Sequence, residues 1–102
     1  MKAETILNVT TSQYQPGEFG YWWIVTKGKT DIAGQVYKGD IDCSNNDLTS
    51  LKGCPAEVHG DFRCYNNRLK SLDYAPETIK YNFDCSNNGL KSLQNGPREV
   101  GF

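Results

Sequence analysis

Between Gly39 and Gly101 the apolar positions return with a period of 21, and Gly39–His59, Gly60–Lys80 and Tyr81–Gly101 align without a gap. In each copy Ile41, Phe62 or Phe83, followed by Cys43, Cys64 or Cys85, alternates with polar residues. That period-2 pattern predicts one short strand per copy with one face buried. Three and five positions after each cysteine stand Asn46, Asn67, Asn88 and Leu48, Leu69, Leu90. A chain that repeats its core while varying its surface predicts a solenoid, a stack of coils built on one parallel strand ladder. Pro55, Pro76 and Pro97 interrupt the return path of each copy, and so short a period leaves little room for a helix there. Extended or single-turn 3₁₀ backbone is expected on that outer side.

Residues 1–38 stand outside the repeat and hold both tryptophans, Trp22 and Trp23, beside Tyr14, Phe19, Tyr21 and Tyr37. Residues 4–10 and Phe19–Thr26 are rich in β-branched and aromatic side chains, with the turn signal Pro16-Gly17 between them. A β-hairpin that caps the stack is the simplest reading. Residues 30–37 then lead into the first copy as a third strand or a turn of helix. The organisation expected is an aromatic cap over residues 1–38 and three repeats over 39–102.

The segment Phe62-Arg63-Cys64-Tyr65-Asn66-Asn67-Arg68-Leu69 resembles the LxLxxNxL core of leucine-rich repeats, with Phe and Cys in two leucine slots. The resemblance covers residues 39–101. Its continuation through Leu72, Pro76 and Ile79 is similar to short proline-containing repeats of bacterial effectors, and to CSNN-type repeat proteins of tailed bacteriophages. The resemblance implies a right-handed, mainly-β solenoid. It also implies a virus-encoded factor that binds and inhibits or modulates a bacterial host protein, such as an antiviral defence enzyme.

A chain of 102 residues has room for one small domain. Lys and Arg number 11 against 12 Asp and Glu, a net charge of −1, so no global positive field draws in nucleic acid. No stretch approaches a membrane span, and the N-terminal residues lack the apolar core of a signal peptide. The expected location is the cytoplasm of a bacterial host cell, with no membrane partner, and the four cysteines are expected as thiols.

Most residues that could carry chemistry have a structural explanation. Cys43, Cys64 and Cys85 would stack at strand spacing pointing the same way, which suits small buried hydrophobes better than a disulfide. No column of His or Asp accompanies them as a metal set would need, so neither metal nor cofactor is expected. Cys54, whose column otherwise holds Ala75 and Gly96, is the thiol expected to be exposed. Asn46, Asn67 and Asn88 read as a buried ladder that satisfies backbone groups. Asn45, Asn66 and Asn87 read as left-handed turn formers, and Ser50, Ser71 and Ser92 as turn hydroxyls. His59, the only histidine, is expected at the solvated surface. With no paired histidines, nucleophile elbow or phosphate loop, no enzymatic activity is expected.

The positions that differ between copies carry more information about function. Beside the buried columns, Asp40, Asp42 and Ser44, then Asp61, Arg63 and Tyr65, then Asn82, Asp84 and Ser86 should face outward as a grid. Four aspartates against one arginine give it a local charge of −3. Arg63 and Tyr65 at its centre are residue types enriched in binding hot spots. On a strand, Trp22 and Trp23 would face opposite sides, leaving one to be covered by the third segment or by a partner. The C-terminal copy has no cap, so Val100 and Phe102 would form an edge open to a second copy. Three classes follow: a protein-binding inhibitor or modulator, a self-associating assembly subunit, and, least favoured by charge, a nucleic-acid or nucleotide binder.

Overall fold

The computed structural model describes residues 13–27 and 30–101. Among them the chain order is one helix, α1 (Phe19–Lys27), then seven two-residue strands. The strands are β1 (Val36–Tyr37), β2 (Ile41–Asp42), β3 (Glu57–Val58), β4 (Phe62–Arg63), β5 (Thr78–Ile79), β6 (Phe83–Asp84) and β7 (Glu99–Val100). They form two parallel sheets, ordered β1-β3-β5-β7 and β2-β4-β6. The molecule is small and mainly β, with its strands in parallel ladders.

The 21-residue period of the sequence is the register of both sheets. Ile41 pairs with Phe62 and Phe62 with Phe83, while Val58 pairs with Ile79 and Ile79 with Val100. Each copy thus supplies two short strands, where alternation around the cysteine column predicts one. The second lies on the return path just past the proline. A proline cannot donate to a ladder but can precede a strand. Pro55 and Pro76 are fully buried there, and the β-branched Val58 and Ile79 point into the core behind them. Segment 30–37 resolves accordingly: Val36–Tyr37 is a strand, and it adds to the edge of this second sheet at Glu57–Val58.

Side chains, as well as strands, tie one copy to the next. The amide of Asn67, only 8% exposed, accepts at Oδ1 from the N–H groups of Asn46 and Leu48, each at 2.9 Å. Its Nδ2 donates to the carbonyls of Cys43 at 3.0 Å and Cys64 at 2.9 Å. Asn88 repeats the arrangement between copies two and three, accepting from Leu69 N–H and donating to the Cys64 and Cys85 carbonyls. Such bonds satisfy backbone groups that a two-residue strand leaves unpaired. Asn45, Asn66 and Asn87 take positive φ of 60°, 54° and 53°, the left-handed turn their residue type tolerates.

The expected hairpin is not formed at its second arm, where Phe19–Lys27 is an α-helix; the first arm, residues 4–10, lies outside the described residues. Its aromatic and β-branched composition favours a strand, but packing overrides propensity. Phe19 and Trp23, and Gly20 and Ile24, lie four apart and make one buried stripe. The first helical N–H groups find acceptors on the first repeat: Phe19 N–H donates to Ser50 O and Gly20 N–H to Lys52 O. Those orphan donors would otherwise need caps or water. Gly53 permits the approach, since a Cβ there would lie 2.6 Å from Gly20 Cα. Phe19 then extends the aromatic column of the repeat, with ring centroids 6.2 Å from Phe62, which is 6.1 Å from Phe83.

One core runs from Tyr14, Phe19, Trp23 and Ile24 through Ile41, Leu51, Phe62 and Leu72 to Ile79. Burial declines towards the last copy. Cys43 and Cys64 are fully covered and Cys85 half-buried, and against Leu51 and Leu72 in the core, Leu93 is 70% exposed. No helix among the described residues is long and apolar enough to cross a membrane.

Candidate binding surface

α1 changes what the two tryptophans do. On a strand they would diverge, whereas on the helix they stay on neighbouring sides with ring centroids 6.3 Å apart. Trp23 is buried against the core and stands edge-on to Tyr37 at 5.2 Å and 85°. Trp22 is half-buried and tilted over Phe19 at 5.6 Å. The indole N–H of Trp23 is buried with no hydrogen-bond partner among the described residues.

Beside these rings lies a recess of about 390 Å³. Trp22, Trp23, Ile32, Tyr37 and Ile41 form its apolar walls, and Lys27, Asp40 and Asp42 bring charge to it. Asp40 and Asp42 are also the first row of the variable grid. The tryptophan pair and the grid, described separately from the sequence, are therefore one continuous surface. Lys27 Nζ sits over the Trp22 ring, 5.6 Å from its centroid.

Much of the grid's charge is engaged within the fold. Asp40 Oδ1 accepts from Asp61 N–H at 2.7 Å, and Asp61 Oδ1 from Asn82 N–H at 2.9 Å, so this column stitches adjacent copies together. The other oxygen of Asp61 pairs with Arg63 Nη2 at 2.8 Å. The Asn82 N–H, aided by the Arg63 guanidinium, holds the Asp61 carboxyl below the usual aspartate range. Asp84 is lowered by the Ser86 hydroxyl and then the Ser86 N–H, and Asp42 accepts likewise from Ser44 N–H. Arg63 and Tyr65 are half-buried, so the centre of the grid offers less free surface than its sequence suggests.

One expectation about a single residue is corrected. Cys54 is buried at 7% exposure within the core, and Gly34 N–H bonds its carbonyl. Burial, reinforced by Cys43 and Cys64, pushes its thiol well above the ordinary range. The small residues in its column, Ala75 and Gly96, were the signal that this slot faces inward. His59 is half-buried, with Nε2 3.0 Å from Glu57 Oε1. At the other end, Val100 is 37% exposed, while Phe102 lies outside the described residues. Leu72, Phe83, Cys85, Leu93 and Val100 line a second recess of about 320 Å³ there.

Comparison with protein-family models, with curated proteins and with solved structures finds no match to this chain.

Proposed function

We propose that this chain is a short leucine-rich-type solenoid that binds a protein and performs no chemistry of its own. The observation that carries the reading is the continuity of the tryptophan-lined recess with the acidic grid through Asp40 and Asp42. Trp22 and Tyr37 keep part of their rings accessible at this recess, and interfaces concentrate Trp, Tyr and Arg within a polar rim. The repeated polar columns support the same view from the other side. The whole amide of Asn67 is taken up by backbone groups, as a scaffold requires. From the resemblance to bacteriophage repeat proteins we carry forward a host protein as the partner and inhibition or modulation as the effect, inside a bacterial cytoplasm.

The test is affinity capture on the immobilised chain from bacterial lysate, run beside Trp22→Ala, Arg63→Ala and Tyr65→Ala. A stoichiometric partner retained by the parent and lost with Trp22→Ala is the expected result. No specific partner, or one indifferent to all three substitutions, would overturn the assignment of this surface. A second reading, self-association through the last copy, is favoured by the exposed Leu93 and Val100 beside their recess. Sedimentation that shows a monomer at high micromolar concentration would remove it.

A further inference from the structure

We propose that the recess beside α1 takes the guanidinium of an arginine side chain from the protein partner, laid against the Trp22 indole and paired with the carboxylates of Asp40 and Asp42. The inference rests on the protein-binding reading and names the chemistry that the partner brings. Three features of the recess carry it. Its walls are aromatic faces and edges set at steep angles to one another, 56° between the two indoles and 85° between Trp23 and Tyr37. Indole faces attract cations through their quadrupole. Its rim holds two exposed carboxylates against one ammonium, a charge of −1 among the described residues, so an incoming cation completes the balance.

The third feature is Lys27. Its ammonium already lies over Trp22 at 5.6 Å, so the chain itself places a cation on the face a partner would use. That lysine is exposed at the last residue of the helix and can swing into solvent. Guanidinium suits the site better than a second ammonium. It is planar, sheds water more readily, stacks on an indole and still presents a fork of N–H donors to carboxylates. Asp40 and Asp42 each use Oδ1 towards the backbone, Asp40 from Asp61 N–H and Asp42 from Ser44 N–H. Their remaining oxygens are the acceptors that the fork would meet. Lys27 is thus an internal competitor that sets the affinity.

Trp22 and Trp23 are the only tryptophans in the chain, so its indole signals report this recess alone. The experiment titrates the full chain with an acetylated, amidated Gly-Arg-Gly peptide, and with the same peptide carrying lysine or the uncharged citrulline. Indole N–H resonances and tryptophan fluorescence are followed. The arginine peptide should bind tightest and shift the Trp22 signal, and citrulline should shift it little. The double variant Asp40→Asn, Asp42→Asn keeps the Oδ1 acceptors and should weaken binding roughly fivefold. Lys27→Gln should tighten it about two- to fivefold, the value of one exposed cation–π contact.

Equal shifts with arginine and citrulline, or no weakening in the Asn variant, or no tightening with Lys27→Gln, would each overturn the proposal. Capture of a host protein together with indifference to the arginine peptide would sink this inference and leave the protein-binding reading standing. Arginine binding without any captured protein would sink the protein-binding reading and leave only the guanidinium preference of the recess standing.

Discussion

Asn67 shows how one side chain holds two copies together. Its carbonyl oxygen accepts from two backbone N–H groups of the first copy, and its NH₂ donates to a carbonyl on each side of the junction. Asn67→Asp keeps the shape and the acceptor but places an anion against the Cys43 and Cys64 carbonyls. A buried group stripped of its partners is expected to cost about 3 kcal/mol by denaturant unfolding, with Asn88→Asp nearer 1 kcal/mol because Asn88 is half-buried. Equal costs at the two positions would mean that burial does not set the value of the ladder. The thiols beside these amides make a second test. Burial, with the Asp42 charge, pushes Cys43 up to about 12, and burial likewise raises Cys54, Cys64 and Cys85. A thiol whose folded pKa is raised stabilises the fold fully below its ordinary value of about 8.5, and that contribution is lost as pH rises towards the folded value. Stability should therefore hold up to about pH 8 and fall above it as the unfolded chain ionises. At pH 8 iodoacetamide should modify Cys85 first, with Cys43, Cys54 and Cys64 following only on opening, as peptide mass spectrometry would show.

At the scale of elements, what was legible in the sequence is what repetition exposes. The Ile41, Phe62 and Phe83 column, the asparagine ladder and the left-handed asparagines each occur three times, so chance patterns cancel and the structural demand remains. α1 occurs once. Its residues Phe19 to Lys27 suit a strand by composition, and the helix forms because Ser50 O and Lys52 O receive its first N–H groups and the first repeat covers its stripe. Only the spacing of Phe19 with Trp23 and of Gly20 with Ile24 hinted at it, a signal too short to outweigh propensity. The recess followed from that helix and was equally hidden, although Trp22, Trp23 and Asp42 had been singled out separately. The turn before each proline shows repetition used as a measuring device. Gly53, Tyr74 and Asn95 share a column, and all have positive φ, 101°, 70° and 65°. Glycine and asparagine accept that backbone readily and tyrosine does not. Tyr74 is 62% exposed, so its ring gains little from packing to offset the strain. Tyr74→Asn should stabilise the chain by about 1 kcal/mol, raising the thermal midpoint by roughly 4–8 °C for a domain of this size. A lowered midpoint would show that the ring contributes more than its exposure suggests.

For the whole molecule, pairing only between adjacent copies makes stability a property of each junction, and the two junctions differ. The first lies beneath α1 and encloses fully buried Ile41, Cys43 and Val58. The second is closed by a copy whose Phe83, Cys85 and Leu90 are half-buried and whose Leu93 is open. The weaker junction should open first, as local units in proteins do. Hydrogen exchange can separate the two because the bonds crossing a junction run in opposite directions in the two sheets. Phe62 and Cys64 N–H donate forward to Asn82 O and Asp84 O, while Arg98 and Gly101 N–H donate backward to Glu77 O and Ile79 O. When the last copy detaches, amides of both copies lose their acceptors together, including two that belong to deeply buried residues. Phe62, Cys64, Arg98 and Gly101 should therefore exchange as one class. Ile41, Cys43, Glu77 and Lys80, whose bonds cross the first junction, should form a slower one. Sorting by burial alone predicts otherwise, since Phe62 and Cys64 are as buried as any residue in the chain. Should Phe62 and Cys64 exchange with the slow class, or all eight amides share one opening free energy, the two junctions would be a single cooperative unit.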